Sequence, residues 1–203
     1  MPSVSASAAM YPDVYADFQS AAEQFGIDWS WGACQIQAES GFNPNVTSYA
    51  GAQGPAQFMP GTWAQYGSGS PFDSAAAAQA WGAYMSALIA QFGDYSEAVA
   101  AYNTGPGNVS KAIAACGSGW LGCLPTSASN QAQTINYVNS ISSCAGGGVP
   151  PPAGTGGGDQ GDTFSIFGLT LPDLSSLPGI NSIEGLPSWA LIGGALLLAY
   201  YLL

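Results

Sequence analysis

Residues 28–63 read DWSWGACQIQAESGFNPNVTSYAGAQGPAQFMPGTW, and this stretch decides the fold. Asp28 is typical of a helix N-cap and Gly41 of a C-terminal stop, so a helix is predicted between them. Residues 42–61 are rich in Gly, Pro, Asn and Ser and predict a long irregular loop or a small sheet. The last turn of the helix carries Glu39, which would therefore lie beside this loop.

The rest of the first 145 residues also predicts helices. Asp73 is a suitable cap for the longest of them, and Gly93 ends it. The predicted helices outside the deciding stretch cover residues 14–25, 73–93, 94–102, 107–115 and 129–143. The predicted fold class is therefore mainly α, with one long loop beside the helix that carries Glu39.

Glu39 is the residue of this stretch whose pKa should be changed by its neighbours. The C-terminal end of a helix carries partial negative charge, and the neighbouring Trp29, Trp31 and Phe42 would exclude water. Both effects disfavour a carboxylate, so the pKa of Glu39 is predicted to be raised. A carboxyl group that keeps its proton near neutral pH is what a general acid needs. The alternative is that Glu39 is an ordinary solvated residue of a helix.

The composition argues against several kinds of site. The chain of 203 residues has 12 acidic residues, one lysine, and neither arginine nor histidine, which gives a formal charge of −11. Nucleic-acid binding is not expected, because it needs clustered basic residues. Without histidine, neither a Ser-His-Asp triad nor a histidine-ligated zinc site can form. Chemistry must come from carboxylates, hydroxyls, amides or thiols.

Four separated blocks follow one another along the chain. They are Glu39-Ser40-Gly41 with Ser48 after it, Gly51–Trp63 with Gln57 and Pro60 inside it, Ala101-Tyr102-Asn103 before Gly105, and Tyr137-Val138. In order and spacing they resemble the lytic transglycosylases of the soluble, lysozyme-like type, which cleave the glycan strands of bacterial peptidoglycan. The resemblance covers about residues 15–140 and implies a lysozyme-like α+β fold. Two segments depart from the family pattern, namely Gly54-Pro55-Ala56-Gln57 in place of Gly-Leu-Met-Gln and Gln133-Thr134 in place of Glu-Thr.

The resemblance implies a role for each matching residue. Glu39 would be the sole catalytic acid and base. The residues implied to bind substrate along the cleft are Ser40, Ser48, Gln57, Met59, Tyr102, Asn103 and Tyr137. Of these, Ser48 and Gln57 would contact the reacting sugar and its N-acetyl group, and Tyr137 would hydrogen-bond near the acid. For the tyrosines and Met59, packing in the core is the alternative.

One carboxylate implies a mechanism in which the substrate assists. Ordinary glycoside hydrolysis uses two carboxylates, but residues 42–66 contain none. The resemblance implies that Glu39 cleaves the β-1,4 bond between N-acetylmuramic acid and N-acetylglucosamine, and that a 1,6-anhydro product forms without metal or cofactor. The alternatives are a goose-type lysozyme, which uses water as the nucleophile, and an inactive, membrane-anchored virion structural or glycan-binding protein.

The four cysteines are Cys34, Cys116, Cys123 and Cys144, and no two form a Cys-x-x-Cys pair. An even number suits two disulfides in an oxidising compartment. Cys116 and Cys123 bracket a glycine-rich loop and are predicted to pair, which leaves Cys34 with Cys144. The alternative is four reduced, buried thiols.

A change in composition divides the chain. Residues 146–162 contain eight glycines and three prolines, which predicts a linker after a catalytic domain at 1–145. Residues 163–185 have no clear fold and would be juxtamembrane. Residues 186–203 read LPSWALIGGALLLAYYLL without a charge, and they predict a C-terminal membrane helix with Trp189 near one end.

These features together suggest a location. The first nine residues have neither a basic nor an apolar segment, so a secretory signal is not expected. Peptidoglycan and a lipid membrane are the expected partners. We therefore expect a bacteriophage enzyme in the internal membrane of a lipid-containing virion, beside other virion proteins, which opens the cell wall during genome delivery. A bacterial envelope protein is the alternative.

Overall fold

A computed structural model describes residues 3–146 and, by backbone alone, residues 163–166 and 169–172. The chain divides into two units, Met1–Gly156 and Gly157–Leu203. The helices of the first unit are α1 (Val4–Met10), α2 (Pro12–Phe25), α3 (Trp29–Glu39), α4 (Pro60–Tyr66), α5 (Ser74–Phe92), α6 (Tyr95–Thr104), α7 (Pro106–Cys116), a 3-10 helix (Gly117–Cys123) and α8 (Ala128–Cys144). The mainly helical fold class is confirmed.

Helix α3 is the central helix of the first unit. Its residues from Trp31 to Gln37 are all buried, and it packs against α1, α2 and α8. Its N-terminal end is fixed by Asp28, whose carboxylate accepts the Ser30 N–H (2.9 Å). The Asp28 N–H donates to the Tyr95 hydroxyl (2.7 Å). A helix held in this way keeps Glu39, its last residue, in a fixed place.

Helix α5 forms the opposite side of the core. Asp73 caps it by accepting the Ala76 N–H (2.9 Å), and Gly93 ends it in the left-handed conformation with φ 73°. Inside the core, Trp81 of α5 packs on Phe18 of α2 with ring centroids 5.5 Å apart. Both rings are fully buried, and Trp81 also reaches α3, where its indole N–H donates to Gln35 Oε1 (3.1 Å).

Residues 40–59 form an irregular loop beside the end of α3. The backbone makes two isolated bridges, Thr47 with Gln53 and Gln53 with Phe58, and residues 3–146 contain no strand. The loop folds tightly at Gly54, where φ is +74° and an added Cβ would lie 1.8 Å from the Pro71 carbonyl oxygen. Of the two forms predicted here, the loop is right and the small sheet is wrong.

Three helical segments of the first unit are absent from the sequence prediction. Helix α1 follows Ser3, whose hydroxyl accepts the Ala6 N–H (3.3 Å). Helix α4 begins at Pro60, a residue that the prediction places in the loop, because proline also suits the first turn of a helix. The 3-10 helix occupies the glycine-rich segment between Cys116 and Cys123.

In the second unit, β1 (Thr163–Ile166) and β2 (Leu169–Pro172) form an antiparallel pair in which Ser165 faces Thr170. The pair lies in the segment 163–185, for which the sequence predicted no clear fold. The predicted membrane segment, 186–203, lies outside the described residues. Within the described parts of the chain, no helix has both the length and the apolar character needed to cross a membrane.

Two disulfides join the helices of the first unit. Cys34 of α3 is bonded to Cys144 of α8, with Cα atoms 5.8 Å apart, and Cys116 is bonded to Cys123, with Cα atoms 6.3 Å apart. These are the pairs that the sequence predicted. The first bond ties the central helix to the last one, whereas the second closes only the 3-10 helix.

The two disulfides should differ in their effect on stability. The bonded residues are 110 positions apart in one case and 7 in the other, and a longer closed loop restricts the unfolded chain more. We expect Cys34→Ala/Cys144→Ala to lower the free energy of unfolding by roughly 5 kcal/mol and Cys116→Ala/Cys123→Ala by roughly 2.5 kcal/mol. Urea denaturation of the oxidised full chain measures both, and an equal or larger loss for the shorter loop would contradict the expectation.

Candidate active site

Glu39 lies half-buried at the last residue of α3. Burial disfavours its charged form and raises its pKa from 4.5 to about 7, and a hydrogen bond from Tyr137 opposes this rise. The Tyr137 hydroxyl donates to Glu39 Oε1. The direction of the shift is the one predicted, and the carboxyl group therefore holds a proton at pH values below about 7.

Two phenols from different helices lie close enough to Glu39 for its charge to affect them. Burial raises the pKa of Tyr102 in α6 and of Tyr137 in α8 well above 10, and the charge of the Glu39 carboxylate raises both further. Both hydroxyls therefore stay protonated. The Tyr102 hydroxyl donates to the Ala56 carbonyl oxygen (2.7 Å), and its ring lies 5.2 Å from that of Tyr84. Both tyrosines therefore donate a hydrogen bond as well as packing against the core.

The tryptophans predicted to keep water from Glu39 pack on tyrosines of other helices. Trp31 packs on Tyr95 with ring centroids 5.5 Å apart, and Trp29 packs on Tyr15 at 5.0 Å. Trp31 precedes Glu39 by eight residues, which is about 12 Å along a helix. The prediction is therefore wrong for Trp31, whereas Trp29 also packs on Phe42, with ring centroids 6.4 Å apart, and Phe42 is fully buried three residues after Glu39.

The loop is held against the site by side chains that the sequence singled out. The Ser40 hydroxyl donates to the Pro55 carbonyl oxygen (2.7 Å). The Gln57 Nε2 amide donates to the carbonyl oxygens of Gly54 (2.8 Å) and Val46 (3.3 Å). Both donors therefore serve the loop backbone, and the Oε1 atom of Gln57 is the part of its side chain left for a ligand.

Three other predicted residues lie farther around the site. Ser48 accepts the Ala52 N–H at its Oγ (3.0 Å), and Met59 is 46% exposed, which is more than core packing would leave. Asn103 is exposed, and its Oδ1 accepts a hydrogen bond from the Thr134 hydroxyl (2.9 Å). In residues 3–146, Tyr137 is the only one of the predicted site residues that hydrogen-bonds to Glu39, and Tyr102 is close enough for the Glu39 charge to raise its pKa.

A polar cavity of about 300 Å³ opens beside Asn103. Its walls come from the end of α6, the start of α7 and the start of α8, and they include Asn130, Gln133 and Thr134. All of its lining side chains are uncharged amides or hydroxyls. Thr134 stands one turn before Tyr137 on α8, so the cavity adjoins the helix that reaches Glu39.

The other acidic residues of the first unit have structural roles or lie apart. The carboxylates of Asp28, Asp73 and Asp94 each accept a backbone N–H at the start of a helix (2.9, 2.9 and 3.0 Å). No other carboxylate contributes to the pKa shift of Glu39. The part of the chain that the structure describes has no cluster of three or more His, Cys, Asp or Glu side chains that could hold a metal ion.

Gln35 is a site residue that the sequence prediction did not include. It lies four residues before Glu39 on α3 and is 1% exposed. Its side-chain Oε1 accepts the Trp81 indole N–H (3.1 Å), and its side chain also acts on the Tyr137 hydroxyl. The available signal was the spacing of four residues, which places Gln35 and Glu39 on one face of a helix.

The central helix ends in a half-buried glutamate, which lies beside an irregular loop and two phenols. This arrangement is that of a lysozyme-like helical domain of the transglycosylase type. The sequence profile of the transglycosylase SLT domain matches residues 17–119, slightly more than half of the chain. The chain belongs to this family.

Solved structures of lytic transglycosylases share the fold. An inactive mutant of the lytic transglycosylase Slt from Pseudomonas aeruginosa is 27% identical, with a TM-score of 0.54, and the match covers 64% of this chain and 23% of that one. The 70-kDa soluble lytic transglycosylase from Escherichia coli is 26% identical, with a TM-score of 0.54 and coverage of 66% and 23%. A complex of the 70-kDa soluble lytic transglycosylase with bulgecin A matches with a TM-score of 0.56. This chain thus spans about a quarter of their length.

The raised pKa of Glu39 should make the folded protein less stable as the pH rises. The carboxyl titrates near 4.5 when unperturbed and near 7 in the folded protein, so the folded state binds the proton more tightly and loses stability between these pH values. We expect Glu39→Gln to be as stable as the wild type at about pH 4 and more stable at about pH 8, by up to about 3 kcal/mol. Urea denaturation at both pH values measures this, and equal stability at about pH 8 would refute it.

Proposed function

We propose that this protein is a peptidoglycan lytic transglycosylase that cleaves the β-1,4 bond between N-acetylmuramic acid and N-acetylglucosamine. The observation that carries the proposal is a single carboxyl group, Glu39, with a pKa of about 7. The protein belongs to a family that is named for this activity. Protonated Glu39 is the general acid, and ionised Glu39 is the general base of the second step.

The reaction follows from having one carboxyl group at the site. Glu39 gives its proton to the glycosidic oxygen as the bond to C1 of the muramic acid breaks, and the N-acetyl group of that sugar stabilises the cationic centre. The C6 hydroxyl then attacks C1 and gives its proton to Glu39, which forms the 1,6-anhydro ring and restores the acid. Tyr137 stabilises the carboxylate between the two steps through its hydroxyl.

The surfaces around Glu39 support a glycan as ligand. The exposed Met59 side chain offers an apolar wall, and Ser48 and the Oε1 atom of Gln57 offer polar contacts in the loop. The uncharged amides and hydroxyls of the cavity beside Asn103 suit the hydroxyl and acetamido groups of amino sugars. A neutral polar lining of this kind favours uncharged groups, because a carboxylate would find no cation there.

Analysis of the digestion products tests the proposal. We expect the full chain to release muropeptides with 1,6-anhydro ends from purified peptidoglycan, identified by mass spectrometry. Glu39→Gln should lower the rate by at least about a hundredfold, because it removes the only general acid. The rate of the wild type should fall above about pH 7, as Glu39 loses its proton.

Glu97→Gln is the matched control, because burial also raises the pKa of Glu97 and this residue lies at the start of α6, away from the proposed acid. It should keep the activity of the wild type. New reducing ends would replace the proposal with lysozyme-type hydrolysis by water. No release of sugars by the wild type would replace it with an inactive glycan-binding protein.

We further propose that residues 186–203 anchor the enzyme in the internal membrane of a lipid-containing phage virion, where it opens the cell wall during genome delivery. The segment is apolar and uncharged, and its 18 residues would span about 27 Å as a helix. The 17 residues of the linker have a root-mean-square span of roughly 23 Å. An enzyme with a formal charge of −11 has no electrostatic attraction to an anionic wall, so an anchor would supply the proximity.

Membrane partition and particle composition test this location. The wild-type chain should float with lipid vesicles, whereas Leu196→Lys/Leu197→Lys should remain in solution, because two charges in the apolar segment oppose insertion. Gly156→Lys/Gly157→Lys is the control that adds the same charges to the linker and should still float. Recovery from purified, lipid-containing virus particles would support the virion proposal, and recovery from host membranes alone would refute it.

A further inference from the structure

A chain of side-chain contacts leads from the core to the acid. The Trp81 indole N–H donates to Gln35 Oε1 (3.1 Å), and the Tyr137 hydroxyl donates to Glu39 Oε1. Between these two hydrogen bonds lies the Nε2 amide of Gln35. It is buried without a hydrogen-bond partner, and the Gln35 side chain lowers the pKa of Tyr137, which is the effect of an NH2 group that faces the phenol oxygen.

Trp81 determines which way the Gln35 amide points. An indole nitrogen can only donate, so it requires the carbonyl end of the amide, and the NH2 end must face the other way. Both residues are buried, with Gln35 1% and Trp81 0% exposed, so neither atom has water as an alternative partner. Gly32 permits the close approach of Trp81 to α3, because a Cβ at this position would lie 2.8 Å from the indole ring.

The orientation of Gln35 in turn determines where the Tyr137 proton points. A phenol has one proton to donate. With the Gln35 NH2 group facing its oxygen, the Tyr137 hydroxyl finds a donor on that side and an acceptor only at Glu39. Were the amide reversed, Gln35 Oε1 would compete with Glu39 for the proton.

We propose that Gln35 is a positioning residue for the reaction at Glu39: held by Trp81, it directs the Tyr137 hydroxyl proton onto the Glu39 carboxyl group. The functional part rests on the proposed transglycosylase activity. Gln35 does not touch the reacting atoms, and it acts through Tyr137. The positive NH2 end of its amide dipole also polarises the phenol, which strengthens the hydrogen bond that the phenol donates to Glu39.

The groups that act on the protonation of Glu39 are few. Among the described residues, Tyr137 of α8 donates to the carboxyl group, Tyr102 of α6 lies close enough for the Glu39 charge to raise its pKa, and Cys34 of α3 is held in a disulfide. The loop at residues 40–59 contains no acidic or basic residue. A change at Gln35 should therefore reach Glu39 through the Tyr137 hydroxyl.

The test is a titration of the Glu39 carboxyl by NMR in the full chain labelled with carbon-13 glutamate. The chain has only four glutamates, and Glu39→Gln assigns the signal. Gln35→Met keeps the shape of the side chain and removes its amide, and we expect it to raise the pKa of Glu39 by about half a unit to one unit. Trp81→Phe keeps the ring packing and removes the N–H, and it should shift the pKa in the same direction. Tyr137→Phe sets the upper limit of the effect.

Gln37→Met is the matched control for lost stability. Gln37 is a buried glutamine of the same helix (8% exposed), and its place two residues before Glu39 puts its side chain on another face of α3. It should leave the pKa of Glu39 unchanged even where it lowers the melting temperature. An unchanged or lowered pKa in folded Gln35→Met would overturn the proposal. If Trp81→Phe has no effect, Trp81 does not orient the amide.

Kinetics separate this proposal from the proposed function. Gln35→Met should lower kcat by about three- to tenfold, because it weakens the hydrogen bond from Tyr137 to Glu39, with KM unchanged and the alkaline limb of the pH profile moved to higher pH. The titration needs no substrate. If Gln35→Met shows the pKa shift but the wild type cleaves no peptidoglycan, the proposed activity is refuted. The proposed effect of Gln35 on Glu39 through Tyr137 would still hold.

Discussion

A carboxyl group buried without a cation beside it is the constraint on which the site depends. The chain contains no arginine or histidine, and Lys111, its one basic residue, lies exposed on α7. The Tyr137 hydroxyl stabilises the Glu39 carboxylate less than a cation would, so burial prevails and the pKa rises to about 7. An arginine at this place would stabilise the carboxylate and remove the proton that a general acid must give.

The loop beside Glu39 is built by the same residues that mark the family resemblance. Phe42 and Gln57 have positive φ values of 65° and 50°, which non-glycine residues rarely adopt and which persist only where surrounding contacts hold them. The Phe42 side chain is fully buried, and the Gln57 amide bonds to two loop carbonyl oxygens. Tyr102 holds the loop from the other side through the Ala56 carbonyl. The side chains that carry the family resemblance thus fix the backbone of the loop, and the shape of the cleft follows from it.

The sequence predicted what local signals encode. Helix α3 could be bounded to within a residue or so because Asp28 and Gly41 act on their own helix ends. The direction of the Glu39 pKa shift was also predicted, and its cause in the structure is burial. The partners of Glu39 could not be predicted from the residues alone, because Tyr137 lies 98 positions away and only the packing of α8 on α3 brings it near. Gln35 was missed for the same reason, since an amide in a buried helix has no recognisable role until Trp81 and Tyr137 are placed. The wrong expectation for Trp31 came from treating neighbours in sequence as neighbours in space.

The burial of Glu39 and the Cys34–Cys144 bond have opposite effects on the stability of the folded protein, and both act on the contact between α3 and α8. Ionisation of Glu39 near neutral pH destabilises the contact between α3 and α8, because the carboxylate prefers water to a partner that is a single phenol. The disulfide joins these two helices and closes a separation of 110 residues. It destabilises the unfolded chain and so offsets the destabilisation of the folded protein by the carboxylate. A covalent bond at this place keeps Tyr137 opposite Glu39 in the pH range in which the acid is half ionised. The site geometry is therefore best preserved in an oxidising compartment, where such a bond persists.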